Sequence, residues 1–194
     1  MMSRPRCFVG SSTEAIDTAR AVQEELDHDA EVTVWNQDVF RLSEDGIDSL
    51  LRELESTDFA VFVVSPDDIV RIRDEEHPTT RDNVIFELGL ALGRLGRKRC
   101  FMLAPRNAPD LHLPTDLLGI NPASYDPDRS DGNLVAAVGS ACAKIRRAIR
   151  TLGPRQAAKE PQIEDPPLFS GRDMLKSPRA PCGARIKQTR VARV

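Results

Sequence analysis

One carboxylate in this chain stands where a carboxylate is costly. Between Asp82 and Arg94 the sequence runs Asn-Val-Ile-Phe-Glu-Leu-Gly-Leu-Ala-Leu-Gly, and Glu87 is its only ionisable residue. A helix with this pattern is apolar on nearly all sides and is therefore expected to be buried on nearly all sides. A charge inside it is unfavourable unless a partner or water reaches it. At 100° per residue, Glu87 falls about 90° from the centre of the apolar face, on a stripe shared with Asn83 and Arg94. That predicts a boundary position, one to two turns inside the helix. A partly desolvated carboxylate at a cleft is a functional-site candidate, suited to stabilising developing positive charge or steering a proton. The alternative, equally open on the pattern alone, is that Glu87 pairs with Arg94 or another arginine and only ties the helix down. Gly89 and Gly93, four apart, predict close backbone contact with the sheet.

Other groups gather around the same position in the chain's rhythm. Gly10-Ser11-Ser12 forms the first strand–helix turn, where backbone N–H groups and hydroxyls suit a pyrophosphate. The plainer reading is an ordinary turn with Ser11-x-x-Glu14 as a capping box. Trp35, the only tryptophan, and Asn36 end the second strand; the indole can stack on a planar ring or pack at the sheet edge. Arg81, Asp82 and Asn83 open the Glu87 helix, and Arg81 can hold phosphate, pair with Glu87, or belong to a solvated cap cluster. His77 and His112 are loop histidines, solvated by default. Cys7, Cys100, Cys142 and Cys182 are scattered, with no Cys-x-x-Cys and no histidine at zinc spacing. No metal site is expected, and Cys7 and Cys100 are expected in the core as reduced thiols.

The elements that must position these groups alternate. Strands are predicted at Cys7–Gly10, Glu31–Trp35, Phe59–Val64, Cys100–Leu103 and Ala123–Tyr125. Helices are predicted at Thr13–Leu26, Asp48–Glu55 with Ile47, Leu50, Leu51 and Leu54 inward, Asn83–Leu95 and Asn133–Thr151. The continuous apolar run Phe59–Val64 marks a central parallel strand. This order implies an α/β fold, a five-stranded parallel sheet in the flavodoxin-like order 2-1-3-4-5, with ligands beyond the C-terminal ends of the strands. The candidate loops are Gly10–Thr13, Trp35–Asp45, Ser65–Thr80 and Ala104–Asn121.

Composition narrows the function classes. The 194 residues are 40% hydrophobic and 29% charged, which fits one domain and excludes fibrous and coiled-coil classes. Residues 1–150 carry 18 basic and 26 acidic side chains, net −8, whereas 151–194 are net +5. An acidic body argues against duplex DNA as a ligand. No apolar run approaches the roughly 20 residues of a membrane span. No secretory leader is recognisable, so the expected address is cytoplasmic. Six of the 14 prolines lie after position 150. The organisation read here is an N-terminal extension 1–5, one domain 6–151, and a Pro-rich basic tail 152–194 expected to be disordered.

Five blocks in order carry a family likeness: Phe8-Val-Gly-Ser-Ser12, Val34-Trp-Asn-Gln37, Asp58-Phe-Ala-Val-Phe62 with Ser65-Pro-Asp-Asp68, Arg81-Asp-Asn-Val-Ile-Phe-Glu-Leu-Gly89, and Leu113-Pro-Thr-Asp-Leu-Leu-Gly119. Together, over about residues 6–150, they resemble the bacterial TIR-like domain. The type is that of nucleotide-binding, CD-NTase-associated and Pycsar effectors, anti-phage proteins that answer cyclic-nucleotide signals. The resemblance implies a flavodoxin-like domain that cleaves NAD at the nicotinamide–ribose bond, with Glu87 catalytic. Substrate binding is then expected at Gly10, Ser11, Ser12, Trp35, Asn36, Arg81 and Asn83. NAD enters as substrate and no cofactor is expected. The resemblance also implies assembly into homo-oligomers or filaments, driven by a cyclic-nucleotide-sensing domain or partner. No such sensor is legible after residue 151, because 44 mostly polar, Pro-rich residues cannot bury a second core; a truncated or frame-disturbed gene would leave a catalytic unit without its switch.

One carboxylate suffices for the implied reaction, because nicotinamide departs as a neutral base and needs no proton, unlike an alkoxide leaving group. Two further readings stand beside it. One is a non-catalytic self-association or nucleotide-binding TIR module. The other is an enzyme resembling nucleoside deoxyribosyltransferases, which also set a carboxylate against a glycosidic carbon.

Overall fold

The computed structural model describes residues 4–37, 39, 46–117 and 119–155. Residues 156–194, which hold most of the tail and Cys182, lie outside the described residues, as does most of the Trp35–Asp45 loop. Five parallel strands form one sheet: β1 (Arg6–Gly10), β2 (Glu31–Val34), β3 (Phe59–Val63), β6 (Cys100–Pro105) and β7 (Ala123–Tyr125), in the order β2-β1-β3-β6-β7. This is the flavodoxin-like order expected from the sequence. A separate antiparallel hairpin, β4 (Asp68–Ile72) with β5 (Glu75–Thr79), lies between β3 and the third helix.

The period-2 alternation of the strands sorts side chains into two cores. Cys7, Val9, Phe59, Val61 and Val63 face α1 (Ile16–Leu26) and α4 (Leu134–Leu152). Phe8, Ala60, Phe62 and Met102 face α2 (Gly46–Ser56) and α3 (Asp82–Leu95). Each fully buried Phe or Leu contributes about 1.5–3 kcal/mol by leaving water. In α3 the buried residues are Val84, Leu88, Ala91 and Leu95, a single stripe at helical spacing.

Four expectations are corrected here. Helix α3 is not buried all round: Phe86 is 53% exposed and Gly89 and Gly93 are exposed. A side chain added at Gly89 or Gly93 would meet nothing within 4 Å, so neither glycine serves contact with the sheet. Ile47 and Leu51 of α2 are exposed rather than inward, and only Leu50 and Leu54 reach the core. The capping box does not form. Helix α1 begins at Ile16, the Ser12 hydroxyl accepts from the Ala15 amide at 3.2 Å, and the Ser11 hydroxyl is engaged elsewhere.

The hairpin is a fifth, in a stretch expected to be loop. Its two-residue turn, Arg73-Asp74, has positive φ at both positions (51° and 69°), the backbone that matches strand twist in tight hairpins. The hairpin is tied to the body where Thr80 Oγ1 donates to the Ser65 carbonyl at 3.0 Å and Thr79 Oγ1 to the His112 carbonyl at 3.1 Å. Among the described residues, no helix is long and apolar enough to cross a membrane.

Candidate active site

The strand order reverses between β1 and β3, and a crevice opens there beyond the strand ends, as parallel sheets require. The cavity has a volume of about 480 Å³, within the range of small-molecule sites. One wall is the β1–α1 turn, Ser11 to Glu14, with Trp35 beside it. A second is the start of α2, Gly46, Ile47 and Leu50. The third is the first half of α3 with its preceding residue: Arg81, Asn83, Val84, Phe86 and Glu87.

Glu87 flanks the buried stripe of α3 and opens on this cavity. Burial pushes its carboxyl up to about 7. No hydrogen bond or ion pair to it exists among the described residues. Both arginines considered as its partners are engaged with other acids: Arg94 with Glu55 at 3.0 Å, and Arg81 with Glu14 at 2.6 Å and Asp68 at 3.3 Å. A carboxylate desolvated without compensation, beside open space, is the arrangement expected where the compensating charge arrives with a ligand.

The β1–α1 turn is built by its hydroxyls. Ser11 Oγ donates to the Ser12 carbonyl at 2.9 Å and accepts from the Trp35 indole N–H at 3.0 Å, so strand β2 and the turn are locked together. The backbone amides of Ser12, Thr13 and Glu14 donate to no acceptor among the described residues. The residues that carry them line the cavity in the turn just before α1, and unbonded N–H groups in such a turn suit an anion. Arg81 ties this turn to the hairpin and to α3 through Glu14 and Asp68, and its Nε is buried without a hydrogen bond.

The structure therefore brings Ser11, Ser12, Trp35, Arg81, Asn83 and Glu87 to one cavity. Gly10 and Asn36 do not line it. Gly10 answers a packing need, because a Cβ there would stand 2.6 Å from Phe62 Cε1. Asn36 is exposed on the turn after β2. Sequence reasoning missed Glu14, assigned to a cap, and Phe86, assigned to the core. Being adjacent to Glu87 was the available signal for Phe86. Among the described residues no group of three or more His, Cys, Asp or Glu side chains is placed to hold a metal. Cys7, Cys100 and Cys142 are buried, with burial pushing each thiol up to about 12, which leaves them inert as nucleophiles.

Residues 6–127 match the model of the CAP12/Pycsar effector protein TIR domain. The chain is 44% identical over 149 residues to the Pycsar effector protein PaPycTIR of Pseudomonas aeruginosa, covering 76% of this chain and 48% of that protein. It is 41% identical over 123 residues to CD-NTase-associated protein 12 of Flavobacterium daejeonense, covering 63% and 39%. The chain thus spans about half the length, or less, of the curated relatives it matches. Among solved structures it is similar to the flavodiiron core Flv1 of Synechocystis sp. PCC6803, at 10% identity and a TM-score of 0.48, over 78% of this chain and 37% of that one. At that level of likeness the strand order is the firmer ground for the fold. Match length and identity together settle the family: this chain belongs to the CAP12/Pycsar effector TIR domains.

Proposed function

We propose that the domain is an NAD nucleosidase in which Glu87 drives cleavage of the nicotinamide–ribose bond. The observation that supports this reading most is the unpaired, half-buried Glu87 carboxyl on the wall of the cavity at the sheet's switch point. The nicotinamide ring of NAD is a cation, and its approach would supply the charge that the carboxylate lacks. As the glycosidic bond breaks, the electron pair moves onto the ring nitrogen and nicotinamide leaves neutral. Positive charge passes to the ribose, and Glu87, in a partly dry setting, stabilises it there. Water then adds to the sugar carbon and releases one proton, giving ADP-ribose.

Around that centre, the free amides of the β1–α1 turn and the Arg81 guanidinium suit the pyrophosphate. The exposed Asn83 amide, one turn before Glu87 on the cavity wall, suits ribose hydroxyls. The Trp35 indole, held edge-on by Ser11, offers a ring face to a base or to nicotinamide.

In this reading the domain is the effector half of an anti-phage defence protein, switched on by a cyclic-nucleotide signal and by self-association. The names of its relatives, Pycsar effector and CD-NTase-associated protein, support that setting. The test is release of nicotinamide from millimolar NAD by the purified chain clustered on a surface, with a parallel incubation in deoxynucleoside and free base. Nicotinamide and ADP-ribose are the expected products. Base exchange alone would favour the deoxyribosyltransferase reading, and neither product would favour a binding module.

A further inference from the structure

The two helices that wall the cavity, α2 and α3, are joined at their far ends by one side chain. Arg155 lies just beyond α4. Its Nη2 donates to the carbonyls of Glu55 at 2.6 Å and Leu54 at 3.4 Å, in the last turn of α2. Its Nη1 donates to the carbonyl of Arg94 at 3.2 Å, in the last turn of α3. These are carbonyls that a helix end leaves without an internal partner, and a cation there also meets the negative end of each helix dipole. The Arg155 backbone N–H is bonded to the Asp58 carboxylate, at the start of β3, so the guanidinium is anchored to the sheet. Arg99 holds the preceding residues from the other side, through the carbonyls of Gly153 at 2.9 Å and Leu152 at 3.4 Å.

We propose that Arg155 is a positioning residue for the candidate site: by pinning the C-terminal ends of α2 and α3 to each other, it sets the separation of their N-terminal halves and hence the placement of Glu87 opposite Ile47 and Leu50. The inference rests on the cavity being the site of NAD cleavage. The geometry makes it specific. Both helices present their first turns to the cavity and their last turns to Arg155. Among the described residues the other hydrogen-bonded or ionic link between those last turns is the exposed Arg94–Glu55 pair, and an exposed pair contributes little. On its outer face α3 has open space at Gly89 and Gly93. Packing on that face does not fix the helix, so its alignment depends on the sheet side and on its ends. The two ends are held by arginines, Arg81 at the start and Arg155 at the finish. A planar guanidinium can bridge three carbonyls at once, which an ammonium on a flexible stem does less well.

The experiment uses the full chain, with Arg155→Ala, Arg155→Lys and, as a control, Arg150→Ala, whose side chain among the described residues bonds Asp29 alone. Three readouts are taken: kcat and KM for NAD, acrylamide quenching of Trp35 fluorescence, and thermal melting. Trp35 is the only tryptophan and lines the cavity at the opposite end of both helices from Arg155, so its quenching reports cavity geometry without any turnover. Arg155→Ala is expected to raise Trp35 quenching and to lower kcat by about ten- to a hundred-fold, the scale of a small misplacement of a reacting group, with a smaller change in KM. Arg155→Lys is expected to fall between, and Arg150→Ala to match the unaltered chain in quenching and kcat. Unaltered quenching and kcat in a cooperatively melting Arg155→Ala would overturn the proposal. If that variant does not fold, Arg155→Lys is read instead, and values equal to the unaltered chain overturn it. Altered quenching in a chain that never releases nicotinamide would uphold the positioning role and remove the nucleosidase reading.

Discussion

At the scale of the residue, Glu87 is a carboxyl whose protonation the fold makes difficult to lose. Its pKa is raised from an ordinary glutamate value to about 7 by burial. If the ionised form does the chemistry, kcat/KM for NAD should climb with pH and level off only above about 7. A solvated glutamate would give a flat profile across that range. The same shift has a consequence for stability. A carboxyl with a raised folded pKa leaves stability intact below the unfolded value, near 4.5, and lowers it as pH rises to about 7. Glu87→Gln should therefore be the more stable protein above pH 7, by up to about 3 kcal/mol, and equal to the unaltered chain near pH 4. Chemical denaturation at the two pH values checks this. A variant that loses stability at high pH would mean that Glu87 has a partner. The identity of Glu87 as the odd residue was legible because a single acid in an apolar helix violates burial rules. Its freedom from arginine was not legible, because Arg81 and Arg94 find their acids 67 and 39 residues away in sequence.

At the scale of the element, β1 shows how sequence pattern and packing diverge. Its alternation sets which side chains face which core, and its place between β2 and β3 follows from the order of strands and helices. Gly10 looked like part of a phosphate-binding turn, yet the structure places the Phe62 ring against it. Gly10→Ala should cost about 1–3 kcal/mol through overpacking, with little direct effect on KM for NAD. A large rise in KM with an unchanged melting temperature would instead put Gly10 against the substrate. The hairpin β4–β5 reads as loop in the sequence because Pro66 stands just before it, Pro78 sits within β5, and its turn, Arg73-Asp74, lacks the glycine that usually announces a tight hairpin. Two non-glycine residues hold the left-handed backbone there; Asp74 tolerates it, whereas Arg73 is a choice local propensity does not favour. In α3 the reading failed differently. Apolar residues all round suggest burial all round, but the fully buried residues form one stripe; Leu90 and Leu92 are only partly covered, and Phe86 is exposed at the cavity.

At the scale of the molecule, the cavity and a knot of hydrogen bonds around Asp58 sit at opposite ends of the sheet. The cavity opens at the C-terminal ends of the strands. At the other end Asp58 accepts from the backbone N–H groups of both Arg6, at 2.8 Å, and Arg155, closing the first and last described elements onto β3. The α1–α4 face is tied separately. Asp29, nearly buried, takes Arg146 at 2.6 Å and Arg150 at 2.8 Å, and although burial opposes it, these hydrogen bonds hold its carboxyl below the usual range. The domain's acidic balance is thus partly engaged in internal pairs. The proposed chemistry depends on one side chain in one cavity, and one comparison tests it most directly. Nicotinamide release from NAD is measured for the clustered chain and for Glu87→Gln, a change that keeps shape and removes only the charge. Steady release is expected from the first and none above background from the second, with melting at least as high. Equal release by both would contradict it.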